Sequence, residues 1–311
     1  MTDKANEDRQ SPKALLEYAA FRIVRGLVRS LPLGVASRVG AASWRWLAPL
    51  NKRHGRAARQ LRKAYPERDA AWRRRVLAGM WSNLGATFVE GFLLDRLLDA
   101  PDRFEIALSP EVEAILSESK RGVVLASLHT GNWEVAVWPL VRQGLAPAGI
   151  YRPARNPLVD RDIRALRGGL YPAGLLPKGS TAARSAMRIV AGGGLVSIMA
   201  DLRERKGVAV QFFGRTAPST PFPAMVARHT GAPLVAGRVV RTGAARFRIE
   251  AQAVPVSRTA ARLEDIEATT RALHQVFEGW IREHPEQWMW GHRRWGDLAL
   301  RSARRRQDSL S

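Results

Sequence analysis

Apolar positions recur with a helical period in the first third of the chain and as short continuous runs after residue 122. From Trp72 to Phe88 an apolar residue returns every four positions, which predicts helices within residues 44–100. Short apolar runs, which predict strands, occupy residues 123–128, 148–151, 195–199, 234–240 and 247–251. Helical patterns separate them at residues 132–143, 156–168, 181–191, 221–230 and 261–284. Such alternation predicts an α/β fold with a mostly parallel central sheet flanked by helices, preceded by a helical preface.

Residues 14–33 predict an amphipathic helix. Arg22, Arg25 and Arg29 share one helical face, and the opposite face carries Leu16, Ala20, Ile23, Leu27 and Leu31. The arginines and Glu17 interrupt the stretch of about 20 apolar residues that a membrane span needs, so the pattern favours a helix lying in a membrane interface. The alternative is a helix that packs its apolar face on the protein's own core.

The charge of the chain predicts an anionic partner. Fifty Lys and Arg residues against 28 Asp and Glu residues give a formal charge of +22. The basic residues form no recognisable nucleic-acid-binding motif, so an anionic membrane surface is favoured over nucleic acid. Such a surface attracts a protein by about 1 kcal/mol for each basic residue close to it. Residues 1–13 are polar and no cleavable signal peptide is evident, which predicts a cytoplasmic location.

A candidate proton-transfer pair follows the first strand pattern. His129 comes directly after the apolar run 123–128, and Glu134 follows it by five residues. A carboxylate that reached the imidazole would fix its tautomer and stabilise the imidazolium, so His129 could act as a general base. The chain contains no Cys, which excludes a thiolate nucleophile. It also has no H-E-x-x-H metal motif and no G-x-S-x-G elbow, so neither a two-His metal site nor an acyl-serine mechanism is predicted.

Charged residues follow two other strand patterns. Arg152 follows the run 148–151, where its guanidinium could bind a phosphate. Asp201 ends the apolar run 195–200 and is predicted either to orient Arg152 or to bind the acceptor, with a helix cap or loop position as the alternative. Arg203 is a candidate phosphate contact, and a solvated loop charge is the alternative.

Several blocks resemble one acyltransferase family. The hexapeptide 129–134 (HTGNWE) resembles the H-x4-[DE] signature of the glycerolipid and lysophospholipid acyltransferases, and its ending is similar to the late lauroyl/myristoyl acyltransferases of lipid A biosynthesis. Further similar blocks, in the same order along the chain, are residues 83–90, 151–157 (YRPARNP), 199–201 with 210–214, and 285–295. The resemblance spans residues 14–296. Thr130, Leu202 and the proline-free stretch 234–237 depart from the family pattern without touching the predicted pair.

The resemblance implies an enzyme that moves a fatty acyl chain from acyl carrier protein to a hydroxyl of a lipid A precursor, without an acyl-enzyme, a metal or a cofactor. It implies His129 as general base oriented by Glu134. The implied substrate-binding residues are Gly131, Asn132, Arg152, Asn156, Asp201 and Arg203. The expected partners are acyl carrier protein, an anionic lipid acceptor and the membrane surface, with no nucleic acid. The expected location is the cytoplasmic face of the bacterial inner membrane, with peripheral attachment.

The predicted organisation is one acyltransferase domain over residues 14–296. It comprises the interfacial helix 14–33, the helical lead-in 44–100 and the α/β core 122–296, between a disordered N-terminus 1–13 and a basic disordered tail 297–311. Two other functions stay open on the sequence. One is the same chemistry on a lysophospholipid or another lipid acceptor, and the other is a non-enzymatic, basic membrane-binding protein.

Overall fold

The computed structural model describes residues 11–118 and 122–295. The predicted tail 297–311 and most of the predicted N-terminal segment lie outside the described residues. The α-helices of the described part are α1 Pro12–Arg29, α2 Leu33–Leu47, α3 Lys52–Ala64, α4 Ala70–Glu90, α5 Leu94–Leu98, α6 Pro110–Glu118, α7 Trp138–Arg142, α8 Pro157–Arg167, α9 Ser180–Ala191, α10 Phe222–Thr230 and α11 Arg262–Glu283. The strands are β1 Phe104–Leu108, β2 Val123–Ser127, β3 Pro147–Tyr151, β4 Leu175–Pro177, β5 Leu195–Met199, β6 Arg203–Phe212, β7 Arg215–Ser219, β8 Leu234–Gly243 and β9 Arg246–Val254.

Seven of these strands form the central sheet, in the order β1-β9-β8-β2-β5-β3-β4. Every neighbouring pair in this sheet is parallel except β8 and β9, which are antiparallel. Strands β6 and β7 pair separately as an antiparallel hairpin. The predicted fold, a mostly parallel sheet flanked by helices, is confirmed.

Strand β2 lies in the middle of the sheet and is buried along its whole length. Its side chains alternate between two apolar clusters: Val124 and Ala126 pack on one face of the sheet, and Val123 and Leu125 pack on the other. Because helices cover both faces, the strand has no polar side, which explains the continuous apolar run in the sequence. The residues that follow β2 therefore emerge at the carboxyl edge of a fully packed sheet.

Helices α2 and α4 approach each other closely through glycine. A Cβ on Gly40 would lie 2.6 Å from the carbonyl oxygen of Gly85, and a Cβ on Gly85 would clash with the carbonyl oxygen of Gly40. Helix α4 begins at the N-cap Asp69, whose side chain accepts a hydrogen bond from the backbone of Trp72. The close contact fixes α2 on α4, and α4 runs on to contact the loop after β2.

Helix α1 contacts the rest of the protein through a face that carries both arginines and apolar residues such as Phe21. Arg25 lies 3.4 Å from the carboxylate of Asp162, and Arg29 donates two hydrogen bonds of 2.8 and 2.7 Å to Asp95. The opposite face, which carries Leu16, Ile23 and Leu27, is exposed. Val28 and Leu31 pack against the cluster of Ala36, Val89 and Leu93, so only part of the predicted apolar face lies on the protein's own core. No helix of the described residues is long and apolar enough to cross a bilayer.

Several elements differ from the sequence prediction. The predicted helix 132–143 is a 3-10 turn over Trp133–Val135 followed by the short helix α7, because the chain turns at Gly131 with a φ of 54°. Strand β1 joins the edge of the sheet although it precedes the predicted core 122–296. The hairpin β6–β7 was not predicted, since Arg203–Phe212 begins with a run of charged residues.

Candidate active site

His129 lies at the carboxyl edge of the central sheet, two residues after the end of β2. Asp201 lies two residues after the end of β5, the parallel neighbour of β2. The backbone N–H of Ala200 donates to the carbonyl of Ser127, so the two chains stay paired just beyond the strands. Carboxyl ends of adjacent parallel strands meet at one edge, which is where ligands bind in such folds.

Asp201 holds the imidazole of His129. Its Oδ1 lies 2.7 Å from Nδ1 of His129, and its Oδ2 accepts from the backbone N–H of His129 at 3.0 Å and from the indole Nε1 of Trp288 at 2.7 Å. The Asp201 side chain is fully buried, and the His129 side chain is 14% exposed. With Nδ1–H donating to the carboxylate, the lone pair of the imidazole is on Nε2, which is the tautomer that a general base requires.

The pKa of Asp201 reflects two opposing effects. Burial alone would raise it, but the charge of His129 and the hydrogen bonds from His129 and Trp288 outweigh burial and lower the pKa to about 2. Asp201 is therefore ionised at neutral pH, and its negative charge faces the imidazole.

Glu134, which was predicted to orient His129, contacts a different residue. Its carboxylate accepts two parallel hydrogen bonds from Arg167, 2.7 Å from Nε and 2.5 Å from Nη2. The 3-10 turn at Trp133–Val135 replaces the predicted first turn of an α-helix, and the last turn of α8 supplies the guanidinium. The predicted pairing is thus corrected: Asp201, 72 residues away in sequence, occupies the Nδ1 of His129.

Gly131 and Asn132, predicted to bind substrate, serve the loop itself. Gly131 has a positive φ, and a Cβ there would clash with the carbonyl oxygen of Val239. The buried side chain of Asn132 donates to Glu90 at 2.9 Å and accepts from the backbone N–H of Glu134 at 3.2 Å. The side-chain amide of Asn132 is therefore engaged within the protein.

A buried network of polar side chains holds the loop that contains Gly131 and Asn132 in place. Arg241 forms an ion pair with Glu90, in which Nη1 lies 2.5 Å from Oε1 and Nη2 lies 2.9 Å from Oε2. Asn83 and Thr87 on α4 donate to the carbonyl of Gly131 at 2.9 and 2.8 Å and also accept from Arg241. The network explains the block 83–90, whose role the sequence pattern did not indicate.

The closing block of the sequence covers the same loop. The backbone of Met289 donates to the carbonyl of His129 at 3.2 Å, and the side chain of Gln287 exchanges two hydrogen bonds with the backbone of Arg241.

Two rings lie next to the imidazole of His129. The ring of His292 stacks near it, with centroids 6.5 Å apart, and Trp133 lies edge-on to it at 5.0 Å. The pKa of His292 is lowered, first by desolvation and then by the charge of His129. Sequence reasoning missed Trp288 and His292 as site residues, because neither has a partner at a short sequence offset.

The other predicted binding residues differ in position. Arg152 follows β3 at the carboxyl edge, as predicted, and it is exposed and makes no hydrogen bond with any residue of the described part. Asp201 contacts His129 and not Arg152. Asn156 caps α8 and donates to the backbone of Ala14 at 2.8 Å, so its amide joins two helices and is not free for substrate.

Arg203 begins β6 two residues after Asp201, and within the described chain its buried Nε has no hydrogen-bond partner. It remains a candidate anion contact. Across residues 11–118 and 122–295, no cluster of three or more His, Cys, Asp or Glu side chains could hold a metal ion.

Comparison with known proteins places these residues in a family. Residues 5–297 match the family described as bacterial lipid A biosynthesis acyltransferase. The lipid A biosynthesis lauroyltransferase of Escherichia coli is 27% identical over 285 residues, which cover 86% of this chain and 87% of that protein. Among solved structures, the 1-acyl-sn-glycerophosphate acyltransferase PlsC of Thermotoga maritima covers 80% of this chain and 97% of its own, with a TM-score of 0.38 and 13% identity.

Proposed function

Since the chain belongs to the bacterial lipid A biosynthesis acyltransferase family and is an acyltransferase acting on lipid, we propose that it moves a fatty acyl chain from the thioester of acyl carrier protein to a hydroxyl of a lipid A precursor. His129 is the general base of this reaction, and Asp201 orients it. The observation that carries the proposal is the contact of 2.7 Å between Nδ1 of His129 and a fully buried carboxylate at the carboxyl edge of the sheet.

The chemistry follows from that contact. Nε2 of His129 takes the proton of the acceptor hydroxyl while the oxygen attacks the thioester carbonyl. Asp201 stabilises the imidazolium that forms. Collapse of the tetrahedral intermediate breaks the C–S bond, and the imidazolium returns the proton to the leaving thiolate. The products are an ester and the free thiol of acyl carrier protein, with no acyl-enzyme.

General-base catalysis contributes about 10²–10⁴ in rate. Loss of the orienting charge alone costs about 10⁴ in the comparable serine-protease triad, because the imidazole then takes the wrong tautomer. We therefore expect Asp201→Asn to lower kcat nearly as much as His129→Ala does.

Glu134 and Arg167 are proposed to act as one unit beside the base. Their bidentate contact fixes the carboxylate next to the turn that carries Trp133. Arg152 and Arg203 are proposed anion contacts of the acceptor, because both follow strands at the edge where His129 lies.

The test uses purified full-length protein, acyl carrier protein loaded with a fatty acid, and a lipid A precursor. We expect loss of turnover in His129→Ala and Asp201→Asn, and full turnover in the matched control His229→Ala, which removes an exposed imidazole at the end of α10. Retained turnover in His129→Ala would refute the mechanism.

Mass spectrometry of cell lipids with and without the gene identifies the acceptor, since only a lipid A acyltransferase changes lipid A by one acyl chain.

The protein is further proposed to work at the cytoplasmic face of the inner membrane, attached peripherally through α1. Support comes from the orientation of α1, whose arginines bind Asp162 and Asp95 while Ile23 is 63% and Leu27 is 66% exposed. Exposed apolar residues along one helical face are typical of helices that lie in a membrane interface.

A further inference from the structure

Helix α2 repeats the outward apolar pattern of α1. On α1, the positions i, i+4, i+7 and i+11 from Leu16 to Leu27 are apolar and exposed. On α2 the same spacing gives Val35, Val39, Ala42 and Trp46, all exposed. We name these four residues, with Leu47 and Leu50, the α2 ridge. Trp46 is 81% exposed and Leu50 is 84% exposed, the two highest values among the exposed large apolar residues of the described chain.

Aromatic side chains connect helix α2 with helix α1. Phe21 of α1 lies 5.4 Å from Phe92, Phe92 lies 5.2 Å from Phe88, and Phe88 lies 5.4 Å from Trp44 of α2, measured between ring centroids. Phe88 is itself 51% exposed. Phe92 is buried, so this aromatic row joins α1 and α2 beneath their two outward faces, which are together called the apolar surface, and the close Gly40–Gly85 contact fixes α2 on α4.

The stretch of chain that contains the α2 ridge carries charge of one sign. Between Glu17 and Glu67 the chain has no acidic residue. The same stretch contains eleven basic residues, which are Arg22, Arg25, Arg29, Arg38, Arg45, Lys52, Arg53, Arg56, Arg59, Arg62 and Lys63. Helix α3, which follows the α2 ridge directly, carries six of them. The ridge is thus an apolar strip beside a strongly cationic helix.

The combination of exposed apolar side chains and neighbouring basic residues discriminates between possible binding partners of the α2 ridge. A second copy of the chain would bring like charges together across the interface, which is destabilising. Nucleic acid would match the charge but would leave the apolar side chains without a partner. The surface of an anionic bilayer matches both, since it accepts apolar side chains below the headgroups and attracts Lys and Arg at their level.

We propose that the α2 ridge is a second membrane-contact surface, so that the protein rests on anionic lipid through α2 as well as α1. The inference rests on the proposed attachment of α1 to the membrane and extends it. Trp46 and Leu50 enter the interface, and the basic residues of α3 contact the lipid headgroups. Attachment at two helices restricts how the protein can rotate on the membrane, which a single helix would not do.

The absence of cysteine from the natural chain allows a direct test. Single cysteines replace Val39, Leu50 or Ile23 in the full chain, and each is labelled with an environment-sensitive fluorophore. Leu263→Cys is the matched control, because Leu263 is a 74% exposed leucine at the start of α11, outside the apolar surface. The labelled proteins are mixed with vesicles of phosphatidylethanolamine and phosphatidylglycerol that contain brominated lipid.

We expect quenching of the labels at residues 23, 39 and 50 and none at residue 263. Quenching at residue 23 alone would overturn the inference. A blue shift of the label at residue 50 that appears without vesicles and grows with protein concentration would identify a second copy as the occupant and would also overturn it.

A second measurement tests the energetic contribution. Trp46→Ser with Leu50→Ser should lower the vesicle partition coefficient by about 100-fold or more, because each large apolar side chain that leaves water contributes a factor of about 10 or more. An unchanged partition coefficient would refute the contact. Vesicle binding does not depend on turnover, and the same measurements on a His129→Ala background separate a failure of this inference from a failure of the proposed chemistry.

Discussion

The ion pair between Glu90 and Arg241 is predicted to be essential for both stability and turnover. Glu90 is fully buried and the Arg241 side chain is 13% exposed, so neither charge is compensated by water. The carboxylate accepts two hydrogen bonds from Arg241, one from Ser37 at 2.7 Å and one from Asn132 at 2.9 Å. Glu90→Gln keeps the shape of the side chain and removes its charge.

The expected loss of stability is about 3–5 kcal/mol, the typical cost of leaving one charge of a buried pair without its partner. Ser37→Ala is the control, because it removes one hydrogen bond to the same carboxylate and should cost about 1 kcal/mol. In thermal denaturation, the Glu90→Gln midpoint should fall by roughly 5–15 °C, several times the effect of Ser37→Ala. At a temperature where the variant is still folded, kcat should fall by about 10², because Asn132 and Gly131 carry the loop that begins with His129 and a shift of about 1 Å in a catalytic group has that effect.

A double-mutant cycle separates the charge effect from a packing effect. Arg241→Met alone leaves Glu90 as an unpaired buried charge, whereas Glu90→Gln with Arg241→Met removes both charges. The double variant should therefore be more stable than the sum of the two single effects predicts, by about 1–3 kcal/mol. If Glu90→Gln destabilises no more than Ser37→Ala, or if the two single effects simply add, the assignment of this pair as the support of the His129 loop is refuted.

Two further predictions concern Glu134 and His274. Glu134→Gln, Arg167→Met and the double variant should lower kcat by similar factors, because the bidentate pair acts as a unit, and multiplicative losses in steady-state kinetics would contradict this. Burial, followed by the charge of Arg294, lowers the pKa of His274 to about 3, so the folded protein keeps this imidazole neutral while the unfolded chain binds a proton below about pH 6.5. The unfolded state then binds more protons, and the free energy of unfolding should fall by about 2 kcal/mol from pH 7.5 to 5 on account of this residue. His274→Phe, measured by denaturant unfolding across that pH range, should lose this contribution, and an unchanged pH dependence would disprove it.

The core strands could be predicted from sequence because central parallel strands are apolar on both faces. Each of the five predicted runs overlaps a strand of the sheet, and β2 matches from Val123 to Ser127. Strand β4 has three residues and none of them is buried, so its pattern gave no signal. The charged start of β6 suggested a loop, since pairing with β7 depends on a neighbour in space and not on an apolar period.

The partner of His129 could not be predicted from spacing along the chain. Glu134 is close in sequence, but the positive φ of Gly131 and the 3-10 turn that follows direct its carboxylate to Arg167. The sequence pattern correctly placed Asp201 at the end of a strand. What the pattern could not supply was the strand order that makes β5 the direct neighbour of β2.

The helical lead-in contributes directly to the active site through helix α4. Helix α4 contributes Asn83 and Thr87 to the carbonyl of Gly131 and Glu90 to the side chain of Asn132, so three of its residues determine where the loop after β2 lies. The same helix holds α2, and its Phe88 contacts Phe92, which lies just beyond the helix and in turn contacts Phe21 of α1. One rigid helix therefore links the surface proposed to rest on lipid with the loop that carries the proposed base. A chain that lacked residues 11–90 would keep His129 and Asp201 in its sequence. It would lose the buried carboxylate of Glu90 and the hydrogen-bond donors Asn83 and Thr87, which together fix the loop after β2.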